Sequence, residues 1–220
     1  MGTDVEREKL LAAEAAAALV EDGMTVGLGT GSTVEYFLDV LAARRLDLRC
    51  VATSPATESA ALALGLPLES FDDPTALARL DLAVDGADQV ASDGWIVKGG
   101  GGAHTREKVV AVAADRFVVI ASSDKLVERV AAPVPLELLA FGVAATLDRL
   151  GHARLREARP TPDGGVLADW HGRVDDPAEL AARLSATPGV VEHGLFVPAL
   201  VSEVLVGRGN SVERISYGGA

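Results

Sequence analysis

The stretch from residue 80 to 108, LDLAVDGADQVASDGWIVKGGGGAHTREK, constrains the fold more than any other part of the chain. It opens with an apolar run, Leu82-Ala83-Val84, that predicts a buried strand. Two carboxylates three apart follow, Asp85 and Asp88, then a second apolar piece at residues 95–97. Lys98, four glycines and a polar helix start carrying Glu107 complete it. In an open α/β sheet, ligands collect where strands end and helices begin. Three acids and a lysine at such ends, beside glycine-rich backbone, are more ionisable groups than stability alone requires.

The flanking sequence supports a sheet of that kind. Residues 4–22 read as an Ala-rich amphipathic helix ended by Asp22-Gly23, and residues 24–28 as a short strand. Gly29-Thr30-Gly31-Ser32-Thr33 then opens a helix to about residue 45. A strand at 48–52, a hydroxyl-rich turn (Thr53-Ser54-Pro55) and a helix to about 64 follow, and Gly65-Leu66-Pro67-Leu68 leads into a short strand. A brief helix is expected after Asp72-Asp73-Pro74, a helix at 105–114, and a very apolar strand at 117–121. Lys125 falls just past that last strand, at the edge where the other strands end. This alternation predicts an α/β fold with a doubly wound, mostly parallel, Rossmann-like sheet.

The pattern changes after residue 130. Strand 134–141, helix 143–150, strand 153–158, turn 161–165, strand 166–170, helix 177–185 and strand 190–197 spell β-α-β-β-α-β, a ferredoxin-like α+β motif. The expected division is a Rossmann-like catalytic domain at 1–130 plus 206–220 and a smaller ferredoxin-like domain at 131–205. The strand-patterned tail, 203–217, is expected to return to the first domain and close a sheet edge.

Composition narrows the class. Apolar residues make up 49% and aromatics 4%, so the core must be built of Ala, Val and Leu. No apolar run approaches a membrane span, and Glu and Lys interrupt the N-terminus where a signal peptide would be apolar. The single cysteine, Cys50, forms no internal disulfide and reads as a small buried residue, so a cytoplasmic protein is expected. A net charge of −12 repels nucleic acid and anionic membranes. An anionic substrate would then need local positive charge. The chain has four lysines, Lys9, Lys98, Lys108 and Lys125, against sixteen arginines. Lysine is a compact charge with a tunable pKa, where arginine is a planar fork. Scarce lysine with excess acid also fits a salt-adapted surface.

Each candidate group has an ordinary reading beside its chemical one. Thr30, Gly31, Ser32 and Thr33 can cradle a phosphate with hydroxyls and helix-start amides, or simply cap a helix. Glu107, in a first turn with Thr105 as expected N-cap, can act as a base if burial opposes the helix dipole. Otherwise it only favours its helix. The glycines 99–102 let backbone approach a ligand and offer amides to an oxyanion. Asp85 and Asp88 can share a proton and hand it to a substrate oxygen, or cap a turn. Lys98 can neutralise a phosphate or an enediolate, or be a solvated strand end. His104, His152, His171 and His193 lack metal-ligand spacing, and His104 is expected on the surface or behind the site. Together the parts fit proton abstraction beside a carbonyl on a small phosphorylated sugar.

These residues also carry a family resemblance. VGLGTGST (26–33), ATE (56–58), VDGAD (84–88), KGGGGAHTREK (98–108), SSDK (122–125), PVPLE (133–137) and PGVVEHGLF (188–196) resemble type A ribose-5-phosphate isomerase in order and spacing. The resemblance implies an aldose–ketose isomerase of the pentose phosphate pathway, working through an enediolate without metal or cofactor. It implies Glu107 as the proton-shuttling base, with Asp85, Asp88 and Lys98 as its catalytic partners. Asp85, Gly86, Ala87 and Asp88 would contact the sugar, with Lys98, Gly99, Gly100, Gly101 and Thr30 to Thr33 as binding segments. Lys125 and Lys9 would be further contacts. A homodimer or homotetramer assembled through the ferredoxin-like domain is implied as well. Ser59, His104 and Pro55 depart from the family pattern. A non-catalytic sugar-phosphate sensor and a related isomerase or amino-sugar phosphate deaminase are the rival readings. The sensor would carry a DNA-binding module or lack the base, whereas this chain keeps the whole acid set.

Overall fold

The structure, a computed structural model, describes residues 2–72 and 77–217, with side chains from Asp4 onward. In chain order the first elements are α1 (Gly2–Ala17), β1 (Thr25–Leu28), α2 (Ser32–Ala43), β2 (Arg49–Ala52), α3 (Pro55–Ala63), β3 (Leu80–Gly86), β4 (Gln89–Ala91), β5 (Ile96–Val97), α4 (His104–Ala113) and β6 (Ala114–Ser122). A 3-10 turn at Ser123–Lys125 precedes β7 (Leu126–Val127), β8 (Val134–Leu138), α5 (Val143–Leu150), β9 (Ala153–Leu155) and β10 (Val166–Trp170). The chain ends with α6 (Pro177–Ser185), β11 (Val190–His193), β12 (Leu195–Phe196), β13 (Glu203–Arg208) and β14 (Ser211–Ile215). The brief helix expected after Asp72 falls on residues 73–76, outside the described residues.

Two compact units form. The first takes Met1–Ala87, Arg106–Leu126 and Ala199–Ala220; the second takes Asp88–Thr105 and Val127–Pro198. In the first, a six-stranded sheet runs β14-β13-β6-β3-β1-β2. Every neighbouring pair is parallel except the terminal hairpin of β13 and β14, which closes one edge. Alternate side chains of a strand share a face. Val26 and Leu28, Leu82 and Val84, and Val118 and Ile120 form one such face. They share a core with Ala12, Ala13, Ala16 and Ala17 of α1 and with Val34, Phe37, Leu38 and Leu41 of α2. Gly27 and Ala83 look the other way, toward α4, and a methyl on Gly27 would lie 2.4 Å from Val110 Cγ1. Helices therefore cover both faces, as a doubly wound sheet requires.

In the second unit, a four-stranded sheet runs β11-β8-β10-β9 with every neighbouring pair antiparallel. α5 and α6 each link two strands that lie on either side of a third, which is the ferredoxin-like topology. Leu136, Leu138, Ala168 and Trp170 pack with Leu150 of α5 and with Leu180 and Leu184 of α6. Pro177 at N1 and the Asp176 carboxylate, which accepts the Ala178 and Glu179 amides, start α6.

A third sheet, β12-β5-β4-β7, was not foreseen. It also explains why the strand expected at 190–197 is two. Gly194 donates its N–H to Pro135 O (2.7 Å) and accepts the Lys98 N–H (2.9 Å), so the chain leaves β8 there and joins β5. A methyl on Gly194 would sit 2.1 Å from Lys98 O, which excludes a side chain. The strands expected at 134–141 and 153–158 stop early, at Leu138 and Leu155. Among the described residues no helix is long and apolar enough to cross a membrane.

Candidate active site

Parallel pairing puts the C-terminal ends of β1, β2, β3 and β6 along one edge of the first unit's sheet. Leu28 stands opposite Ala52 and Val84, and Gly86 opposite Ile120. Asp85 closes β3 there and is 2% exposed. Its Oδ1 accepts the Thr30 N–H (3.1 Å) and the Gly86 N–H (2.7 Å). Burying a carboxylate requires such donors. Gly29 makes room for it, because a methyl at that position would lie 2.1 Å from Asp85 Cγ.

The turn after β1 is knit to the turn after β2 by hydroxyls. Thr30 Oγ1 donates to Ser54 Oγ (2.8 Å) and lies 2.9 Å from Thr53 Oγ1 and 3.1 Å from Thr57 Oγ1. Thr57 Oγ1 donates to Gly29 O (2.8 Å), and Ser54 caps α3 by accepting the Thr57 N–H (3.1 Å). Pro55 occupies N1 of α3, where its fixed φ suits a helix start. The Thr30 hydroxyl thus serves the turn. Gly31, at φ 129°, and exposed Ser32 lead into α2, where Thr33 is buried.

Glu107 is 4% exposed in the first turn of α4. Val110 and Ala111, three and four residues on, are buried on the same helix face. The helix begins at His104, so Thr105 is not its N-cap; its hydroxyl donates instead to Glu137 Oε2. Glu137, 2% exposed on β8, also takes the Thr161 hydroxyl on Oε1 (2.6 Å).

Lys125 lies in the turn after β6, 3.5 Å from Asp124 Oδ2. Lys9, on α1, bonds Glu6 Oε1 (2.8 Å), while Glu6 Oε2 takes the Tyr36 hydroxyl (2.8 Å). Glu8 ties these two regions together. Its Oε2 accepts the Ser123 N–H (2.9 Å) and hydroxyl (2.8 Å), and its Oε1 accepts the Gly209 N–H (2.8 Å). The Gly209 amide, followed by the Ser123 donors, holds the Glu8 carboxyl below the usual carboxylate range despite its burial.

In the second unit, Asp88 starts the segment that returns through β5. Its N–H donates to Val97 O (2.8 Å), and its Oδ2 accepts the Gly100 N–H (2.7 Å). Lys98 is 3% exposed, with Nζ 5.9 Å from the centre of the Phe196 ring. It is not the solvated strand end that one reading allowed. The glycines are confined. Gly99 has φ +102°, and a methyl there would strike His104 Nδ1 and Pro135 Cβ. His104 itself is fully buried, which removes the surface reading.

Arg156, Glu137 and Glu8 escaped the sequence reading. Glu137 lies inside the PVPLE block, which was its one signal. Cys50 is buried and its thiol is pushed up to about 12, first by burial and then by Glu69. Among the described residues no three of His, Cys, Asp and Glu group as a metal site would need.

Comparison with known proteins agrees with this framework. A family model described as "Ribose 5-phosphate isomerase A (phosphoriboisomerase A)" matches residues 49–211. Ribose-5-phosphate isomerase A of Caulobacter vibrioides is 44% identical, with 94% of this chain and 97% of that protein covered. The ribose 5-phosphate isomerase A structure from Methanocaldococcus jannaschii superposes with TM-score 0.87 at 33% identity, covering 94% of this chain and 97% of that one. A D-ribose-5-phosphate isomerase in complex with phospho-erythronic acid superposes with TM-score 0.89 at 33% identity, covering 96% and 99%. The chain therefore belongs to the ribose 5-phosphate isomerase A family.

Proposed function

We propose that this protein interconverts D-ribose 5-phosphate and D-ribulose 5-phosphate through an enediolate, without a metal or a cofactor. The observation that carries the reading is the burial of Asp85, Lys98 and Glu107, at 2%, 3% and 4% exposure, within one short block. Charged side chains are rarely buried for packing alone. Glu107 takes the proton from C2 of the open-chain aldose, and the electron pair moves through C1 onto O1 to give the enediolate. It returns the proton to C1 while O2 gives up its own, which leaves the ketose. Asp85 or Asp88 moves the proton between the two oxygens. Lys98 and the amides of Gly99 and Gly101 balance the developing negative charge, while the Gly100 N–H holds Asp88. Gly86 and Ala87 line the sugar, Gly31, Ser32 and Thr33 with Thr30 hold the phosphate, and Lys125 and Lys9 add positive charge. A phosphorylated sugar acid, whose planar carboxylate has the two-oxygen shape of an enediolate, is the ligand named with one solved relative.

The same reading assigns catalysis to a Rossmann-like domain of 1–130 plus 206–220, and homodimer or homotetramer assembly to the ferredoxin-like domain of 131–205, in the cytoplasm. The test is turnover of ribose 5-phosphate by the purified protein in EDTA, beside Glu107→Gln. A positioned base contributes about 100- to 10,000-fold, so the variant is expected to lose that much turnover with little change in binding. Near-normal turnover in Glu107→Gln would remove Glu107 from its role. Binding without turnover in the unaltered protein would favour the sensor, and activity lost to the chelator would overturn the metal-free chemistry.

A further inference from the structure

Glycine adopts many backbone conformations, so a run of four does not choose the direction of its own amides. Here an arginine from the ferredoxin-like fold stands against that run. Arg156 follows β9, and its N–H donates to Leu167 O (2.9 Å). Its guanidinium uses two edges. Nε and Nη2 bind Asp169 Oδ2 (2.7 Å) and Oδ1 (2.5 Å) as a fork, and Nη1 reaches Gly99 O (2.8 Å) and Gly100 O (3.3 Å). Gly99 O also accepts the Gly102 N–H (3.0 Å), which fills both of its acceptor positions.

In a trans peptide the C=O and the next N–H point in opposite directions. A carbonyl of Gly99 drawn toward Arg156 therefore turns the Gly100 N–H away from it, and that N–H meets Asp88 Oδ2 at 2.7 Å. The same rule applied to the Gly100 carbonyl turns the Gly101 N–H away from Arg156. We propose that Arg156, held by Asp169, is a positioning residue that fixes the direction of the Gly100 and Gly101 amides. In the isomerase read above, on which this consequence rests, the Gly100 amide holds the Asp88 carboxylate in place and the Gly101 amide faces the enediolate oxygens. Lysine cannot replace the arginine, because one ammonium cannot hold a carboxylate in a fork and reach two carbonyls in a fixed plane.

The experiment compares the full chain with Arg156→Ala and Arg156→Lys. It measures kcat and KM for ribose 5-phosphate, with and without methylguanidinium, and exchange of the Gly100 and Gly101 amides by NMR. A misplacement of about 1 Å can cost about 100-fold. The expected result is a fall in kcat of roughly 10- to 100-fold in both variants, with KM within about threefold. Methylguanidinium should restore activity to Arg156→Ala alone, and Gly100 exchange should quicken in both variants. A kcat within twofold of the unaltered protein in Arg156→Lys would overturn the proposal, even if Arg156→Ala failed to fold. So would unchanged amide exchange. An inactive unaltered protein would instead strike the proposed function, and amide exchange would then decide the role of Arg156 by itself.

Discussion

Gly29→Ala tests how the sheet holds Asp85. The added methyl would lie 2.1 Å from Asp85 Cγ and Oδ1 and 2.6 Å from Asp85 Cβ. Carbon atoms rest about 3.5 Å apart, so the carboxylate must move by more than about 1 Å. Turning the side chain does not relieve the clash, because Cβ, which is fixed to β3, is among the atoms struck. Overpacking of this kind costs about 1–3 kcal/mol. The Thr30 and Gly86 amides now bind Oδ1, and each such bond to a charged group that breaks adds about 1.5–3 kcal/mol. Strain plus one lost bond gives about 2.5–6 kcal/mol. For a chain of this length that is a fall in Tm of at least about 5 °C. If Asp85 touches the sugar, kcat/KM should also drop about 100-fold at a temperature where the variant is folded. Gly172→Ala is the control. Its methyl would strike the Trp170 ring at 2.5 Å in the ferredoxin-like unit, so it should lower Tm and leave kcat/KM within about threefold. Coupled assays and thermal melts on both variants decide the matter. Gly29→Ala with the kinetics of the unaltered protein, or equal kinetic losses in both variants, would refute the placement of Asp85.

Two further outcomes follow from buried groups. Glu8 has its carboxyl pKa lowered in the fold, so the stability it provides is complete above the unfolded carboxylate value and fades as pH falls through the folded one. Glu8→Gln should therefore melt below the unaltered protein at pH 7, and the gap should close below about pH 4; a gap independent of pH would reject an ionised Glu8. Cys50, buried and pushed up to about 12, should not react with a thiol reagent in the native protein and should react fully in guanidinium. Rapid native labelling would contradict the packing around β2.

The long alternation of strand, turn and helix through residue 121 was legible because each element keeps its own period and its own turn residues. The β-α-β-β-α-β run was legible for the same reason. β4 was missed: three residues, Gln89–Ala91, carry too little pattern, and their partner β5 has only two. The break at Gly194 was missed because apolar residues continue on both sides of it, and the reason to break lies 96 positions earlier, at Lys98. Thr105 looked like a cap by its type and place. Its hydroxyl is taken by Glu137, 32 positions away. Among the candidate residues, those in local motifs stood out in the sequence. Arg156 did not, since its link to Gly99 spans 57 positions and no spacing rule reaches that far.

The Glu8 carboxylate joins the second turn of α1 to Gly209, 201 residues later, and Gly207 lies so close that a methyl there would be 1.9 Å from Glu8 O. On a ribosome, α1 must wait for strands made about 200 residues later. At about 5–20 residues per second that is a delay of roughly 10–40 s. Throughout it, the alanine face of α1 can rest on α2 but has no finished sheet beneath it. Truncations that remove β13 should therefore yield a chain that is held by chaperones or degraded. The pairing of β13 and β14 is the step that gives α1 a finished sheet to rest on.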